Sequence, residues 1–291
     1  MSAETLCLET LPPAEFEAES EHRSPSLQIV ALPGRTSRAN YLRRIDVSGD
    51  LEVNASTLRR LHRQHLFHVP FENLDIHLGR PLSLEFPALY EKIVTRRRGG
   101  FCYELNGLFA WLLRDLGFEV HLLEARFLER GALGPRFDHM ALLVGAGRPW
   151  LVDVGFGESF INPLPLDSEE THDEGGVAYR IVAAGDERSA LERRPRGGDW
   201  QVQYLFEKRP HELPEFADRC VYHQTSSESH FTQKRLCTMA TADGRITLSN
   251  LRLIETKADQ RSERQLVDDG EWHSTLQALF GVDLAIERRD P

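Results

Sequence analysis

The order of patterns along the chain predicts an α+β protein with its helices and strands segregated. Three observations carry this. Residues 39–117 repeat apolar positions at three- and four-residue spacing. After Gly117 the pattern changes to short apolar runs separated by Gly and Pro. The last part, 216–291, mixes short strands with a terminal helix. An alternating strand–helix enzyme would interleave the two periods, which this chain does not do.

The elements follow in order. Residues 1–38 are rich in Glu, Ser and Pro and read as a flexible extension. Ser56 is placed to cap a helix carrying Leu58, Leu61 and Leu66. Pro87 opens a second helix, with Leu89, Tyr90, Ile93 and Val94 on one face. A third begins near Cys102 and runs through Leu105, Leu108, Phe109, Leu112, Leu113 and Leu116 to a stop at Gly117. Residues 119–128, 137–144, 150–154, 178–184 and 200–206 read as strands. The polar stretches 167–176 and 193–199 read as loops. A strand over 246–254 and a helix around 273–280 complete the pattern.

The chain has 291 residues, 41% of them apolar and 27% charged. That suits one large domain or two to three small ones. No stretch approaches the ~20 apolar residues of a membrane span. The acidic N-terminus lacks the apolar run of a secretory signal. The net charge of −10 argues against nucleic-acid binding through phosphates and against a basic membrane patch. Cys7, Cys102, Cys220 and Cys237 form no CxxC pair, so they read as reduced thiols of a soluble, cytoplasmic chain. The histidines show no metal-ligand spacing, and no metal is expected.

Cys102 stands apart from the other cysteines. Gly99 and Gly100 let the backbone turn sharply, and the thiol opens an amphipathic helix. Free N–H groups at a helix start favour a thiolate, and Arg96, Arg97 and Arg98 would add to that if close. Cys102 is then a nucleophile, or else a buried cysteine beside a structural turn. A thiol nucleophile calls for a histidine and a carboxylate. His62, His65 and His68 lie among polar helix residues and read as solvated or satisfied. His139 opens an apolar run, and a hairpin centred on Gly147 would place Leu143 opposite Leu151, Ala141 opposite Asp153 and His139 opposite Gly155. His139 and Asp153 would then share a face, roughly 5–8 Å apart at the backbone. Gly155 would leave room beside the imidazole. A slip of one residue would separate the pair.

Four blocks carry a resemblance to the arylamine N-acetyltransferases. They are Val69–Asp75, Arg98–Asn106, His139–Val144 with Val152–Gly157, and Gln224–Ser226 running on to Ser229 and Phe231. The resemblance covers about residues 39–291. It implies a helical bundle over 39–118, a β-barrel over 119–223 and an α/β lid over 224–291. It implies a Cys102, His139, Asp153 triad and ping-pong transfer of an acetyl group from acetyl-CoA to arylamines, hydrazines or N-hydroxyarylamines. It places Phe71, Phe156 and Tyr222 on the acceptor slot and Gly157 and Ser229 in CoA binding. Glu72 is expected to pair with Arg97 or Arg98 beneath the cysteine turn. Asp138, Pro135, Arg136, Ser227, Cys220, Glu158 and Phe160 depart from, or vary within, the family pattern and leave acceptor and CoA contacts open. An amide synthase of the same family, a thiol hydrolase and a binding protein with a relict site are the competing readings.

Overall fold

A computed structural model describes residues 34–284 apart from 130, 258 and 259. The first helix, α1 (Gly34–Arg44), begins inside the stretch read as an extension; residues 1–33 lie outside the described residues. α2 (Ala55–His68) is capped by Asn54, not Ser56: the Asn54 side chain accepts from Thr57 N at 2.9 Å. The cap sits one residue before the helix, and Ser56 is already helical. Strand β1 (Phe71–Glu72) and α3 (Leu74–His77) follow. α4 (Phe86–Tyr90) carries Pro87 in its first turn and runs on as a π-helical turn over Glu91–Thr95. α5 (Cys102–Asp115) buries an almost continuous apolar surface and ends before Gly117, whose φ of +98° suits glycine.

The middle of the chain is strand-rich, as its changed period requires. β2 (Glu119–Arg126), β3 (Leu128–Glu129), β4 (Ala132–Leu133), β5 (His139–Gly145), β6 (Pro149–Val152), β7 (Leu164–Pro165), β8 (His172–Glu174), β9 (Val177–Ala183), β10 (Arg188–Arg194) and β11 (Gln201–His211) run in sequence. Eight of them form one sheet in the order β7-β6-β5-β2-β11-β10-β9-β8. β7 also approaches β9, so the sheet curls into a nearly closed barrel. The 167–176 stretch is not all loop: His172–Glu174 pair with β9 as the edge strand. Leu123, Leu151, Tyr179, Leu191, Tyr204 and Phe206 fill the barrel interior.

A 3₁₀ turn (Leu213–Phe216) leads into α6 (Ala217–Thr225) and the short α7 (His230–Gln233). α6 therefore spans the boundary expected at 223/224. β12 (Leu236–Thr241), β13 (Gly244–Ser249), β14 (Arg252–Lys257) and β15 (Gln260–Gln265) extend a second sheet from β1. The single strand expected over 246–254 is a hairpin. The chain reverses at Asn250, whose φ is +49°, a conformation Asn tolerates better than most residues. Pairs Phe71↔Thr238 and Glu72↔Cys237 tie this sheet to the segment before the cysteine turn. α8 (Asp269–Phe280), capped by Asp268, covers the sheet with Trp272, Leu276 and Phe280.

Candidate active site

The turn before Cys102 is dictated by close approach. A Cβ on Gly99 would lie 2.0 Å from Pro70 O, and one on Gly100 would lie 2.8 Å from Glu104 Oε2. Glu104 reaches back to accept the Phe101 N–H at 3.1 Å, which fixes the helix start. Glu72 N donates to Gly100 O at 2.8 Å.

Beneath this turn lies a buried charge cluster. Arg98 Nη2 donates to Glu72 Oε1 at 2.8 Å and to Asp75 Oδ1 at 3.0 Å. Lys92 Nζ sits 2.8 Å from both Asp75 Oδ2 and Glu104 Oε1. Glu72 thus pairs with Arg98. Arg97 is exposed, and its carbonyl accepts from Arg44 Nη2. Arg96 faces Glu91. The arginines are therefore spent on structure and do not supply the expected help to the thiol. Cys102 is buried, and burial pushes its thiol well up, with Cys220, Asp153 and Asp138 adding to the effect.

His139 and Asp153 meet, but not by the expected pairing. The register Leu143↔Leu151 holds, and the ladder stops at Leu142↔Val152. Ala141–Asp153 and His139–Gly155 do not pair, because Asp153 and Gly155 turn away toward α2 and α5. Asp153 N donates to His62 Nε2 at 3.3 Å, and His62 Nδ1 donates to Ile161 O at 2.8 Å. His62 is buried and kept neutral by that burial, so it is a satisfied core histidine supporting the Asp153 backbone.

The Asp153 carboxylate is fully buried and held at both oxygens. Oδ2 lies 2.7 Å from His139 Nε2 and accepts the Tyr204 hydroxyl at 3.0 Å. Oδ1 accepts Asn106 Nδ2 and Gly155 N, each at 2.9 Å. Burial alone would raise this carboxyl, but His139 and these donors together hold it below the usual carboxylate range. Asn106 also donates to Met140 O at 2.6 Å and accepts Val154 N at 3.0 Å. One amide from α5 thereby fixes the chain beside His139 and the chain around Asp153. Asn106 and Tyr204 escaped the sequence reading. Asn106 could have been found, since it lies four residues after Cys102 on the same helix face.

Gly155 is where the two halves of the site touch. A Cβ there would lie 2.7 Å from Cys102 Cα and 2.7 Å from Asn106 Nδ2. The space it leaves is filled by the cysteine backbone, not by the imidazole. Gly155→Ala is expected to cost about 2–3 kcal/mol through overpacking and to lower kcat/KM about 100-fold through displacement of Cys102, read by thermal unfolding and by turnover.

Aromatic rings enclose His139: Tyr204 at 5.2 Å, Phe156 at 5.5 Å and Phe127 at 5.7 Å between centroids. Phe71 faces Phe231 and borders Gly157, whose φ is +82°. Tyr222 lies under the Arg219 guanidinium and against His223. The Ser229 hydroxyl caps α7 by accepting Phe231 N and lies 3.1 Å from His223 Nδ1. Just before His139, Phe137 has a φ of +58°, strained for an aromatic residue. Tyr103 holds it by donating to Phe137 O at 2.6 Å, and Arg219 Nε donates to Asp138 Oδ1 at 2.7 Å. Among the described residues no cluster could hold a metal, and no helix is long and apolar enough to cross a membrane.

The N-acetyltransferase family model matches residues 54–289. The pineal gland isozyme NAT-10 arylamine N-acetyltransferase of Gallus gallus is 32% identical, covering 84% of this chain and 93% of its own. The Mycolicibacterium smegmatis arylamine N-acetyltransferase is 33% identical, with 84% and 91% covered. Proansamycin X synthase of Amycolatopsis mediterranei matches at 30%, covering 84% of this chain and 96% of its own. The Mycobacterium marinum arylamine N-acetyltransferase in complex with CoA superposes with a TM-score of 0.79 at 30% identity, covering 85% of this chain and 93% of that one. With the nucleophile turn, the His139–Asp153 pair and the barrel in place, these likenesses show that the chain belongs to the arylamine N-acetyltransferase family.

Proposed function

We propose that the chain is an arylamine N-acetyltransferase working through an acetyl thioester on Cys102. The observation that carries this is the fourfold hold on Asp153 beside His139, with Gly155 seated directly on the Cys102 backbone. Asp153 orients the imidazole through Nε2, which leaves Nδ1 as the working nitrogen.

The chemistry runs in two balanced halves. Cys102 gives its proton to His139 Nδ1, and Asp153 stabilises the imidazolium. The thiolate attacks the carbonyl of acetyl-CoA. The carbon–sulfur bond to CoA breaks, and His139 returns the proton to the departing CoA sulfur. An arylamine, hydrazine or N-hydroxyarylamine then attacks the Cys102 thioester. His139 takes the proton released by that nucleophile, the amide or ester leaves, and the proton returns to the Cys102 sulfur. An arylamine is a free base at neutral pH, and an apolar slot keeps water off the thioester. Phe156 beside His139, with Phe71 and Gly157 nearby, supports such a slot. Tyr222, and Gly157 and Ser229 as CoA contacts, complete the proposed set. Acetyl-CoA is the co-substrate, no metal takes part, and the chain works in the cytoplasm.

Intact-protein mass after mixing with acetyl-CoA tests the reading. One acetyl group on Cys102 that disappears when an aromatic amine is added supports it; no adduct on Cys102 overturns it. A second expectation concerns pH. The buried thiol is pushed up, so its reactivity at neutral pH depends on proton transfer to His139. His139→Gln is expected to slow alkylation of Cys102 at pH 7 by about 100-fold and to move its onset to alkaline pH. An unchanged pH profile would exclude His139 as the base.

A further inference from the structure

Six buried side-chain N or O atoms among the described residues lack a hydrogen-bond partner; two of them, His172 Nε2 and Arg193 Nε, belong to the strands that flank β9, and a third, Ser159 Oγ, follows in sequence the Glu158 that Arg193 bonds. Folded interiors leave few such atoms, and each calls for an explanation, an ordered water or a bound group among them. The pairing register aligns His172 and Arg193. Arg193 on β10 opposes Tyr179 on β9, and Tyr179 opposes His172 on β8. Leu191 and Ile181, two residues along the same strands, belong to the barrel interior, so this row faces inward.

Arg193 ties the row to the segment that follows Phe156. Phe156, whose ring lies 5.5 Å from His139, is followed by Gly157, Glu158 and Ser159. Arg193 Nη2 lies 3.3 Å from Glu158 Oε1, but the Glu158 side chain is 69% exposed and a weak, solvated partner. A second guanidinium comes from the other sheet. Arg245 on β13 donates to Thr238 Oγ1 at 3.2 Å, and its charge acts on Tyr179, Glu158 and Arg193. Arg193 thus bonds the exposed Glu158 carboxylate and the Tyr179 hydroxyl, and Arg245 brings a second cation within electrostatic reach of the same groups. Guanidinium N–H groups only donate, and the serine hydroxyl can donate as well. What this set lacks is an acceptor with several oxygens.

We propose that Arg193 and Arg245, with Ser159 and His172, form a subsite for the oxyanion of a substrate, a phosphate or carboxylate that displaces Glu158. This rests on the transferase reading. Two sources share the chemistry: the phosphates of a CoA donor and a carboxylate on the aromatic acceptor. Guanidinium forks suit either, because both present paired oxygens.

Matched substrate pairs decide. kcat/KM is measured for acetyl-CoA against S-acetylpantetheine, which lacks the nucleotide phosphates, and for 4-aminobenzoate against its methyl ester. The unmodified protein is expected to favour the anionic member of one pair by about 10- to 100-fold, the range of charge-assisted hydrogen bonds. In the Arg193→Gln, Arg245→Gln double variant that preference falls toward unity. A change in the donor pair assigns the subsite to phosphate, and one in the acceptor pair assigns it to carboxylate. No preference in the unmodified protein overturns the proposal, whether or not the variant folds. So does a preference that survives in the double variant, or in both single variants if the double variant is unfolded. If Cys102 is acetylated but the ratios stay flat, only the subsite fails. If neither donor acetylates Cys102, the transferase reading fails and the subsite with it.

Discussion

Cys102→Ala is expected to abolish acetyl transfer, with kcat falling by about 10⁴-fold or more, since a nucleophile and its base act as one unit. The same variant should show no acetyl group by intact mass. The other described cysteines give the comparison. Cys220 and Cys237 are buried, and burial pushes both thiols up, Cys220 to about 12. Cys220 lies by Gln224 Nε2, and Cys237 sits in the core under α8. Neither is part of the site that Gly155 joins to the His139–Asp153 pair, so Cys220→Ala and Cys237→Ala should leave the Cys102 adduct in place. What separates Cys102 is its neighbourhood, not an intrinsically low thiol pKa. An Asp153→Asn variant tests that neighbourhood. It keeps the shape but turns a donor toward His139 or Tyr204, and about 10³- to 10⁴-fold should be lost.

The sequence made much of this legible, for reasons that can be traced to particular residues. Helical spacing after Cys102 and the Gly147 turn set which residues can share a face, and the Leu143↔Leu151 register follows from that turn. The last step failed because sequence parity assumes that a ladder continues. Here the ladder stops at Val152, and Asp153 reaches His139 only because Asn106 and His62 draw the chain off the sheet. The arginine run departs from expectation for a related reason. Charge in the sequence says nothing of direction, and Arg98 turns inward to Glu72 and Asp75 while Arg97 turns to solvent. Tyr204, which lies 51 residues beyond Asp153, left no local signal, because only barrel closure brings it close. Ser56 lost the cap to Asn54 by two positions, the ordinary precision of a boundary read from pattern.

Arg98→Met is expected to give the largest loss of stability. Arg98 is 1% exposed and bonds two carboxylates, Glu72 with no exposed surface and Asp75 nearby. Counted as ionised, the cluster holds three acids, Glu72, Asp75 and Glu104, against two bases, Lys92 and Arg98. Burial already pushes the Glu104 carboxyl up, despite its bond to Lys92. Without Arg98, three buried carboxylates would face one ammonium, and Glu72 would keep Lys92 at 4.0 Å and the Leu74 N–H at 2.7 Å. Breaking a buried pair from one side costs about 3–5 kcal/mol, which corresponds to a fall in Tm on the order of 10 °C. Lysine should restore only part of this, because it lacks the planar fork that spans both carboxylates. Adding Glu72→Gln to Arg98→Met should recover stability, since the abandoned charge is then gone. The pH dependence has a definite sign. Asp75 is held below the usual carboxylate range despite its burial, through Lys92 and Arg98, so its contribution is present above that range and lost as pH falls through it. In the variant Asp75 loses part of that hold while its burial remains, and the deficit grows with pH. The gap in unfolding free energy between parent and variant should therefore be widest near pH 7 and narrow toward pH ~4. A gap independent of pH would mean that Arg98 contributes packing and not charge. Because Glu72 N also holds Gly100 O at 2.8 Å, the same loss should loosen the turn that presents Cys102, and the rate of Cys102 acetylation should fall before the protein unfolds.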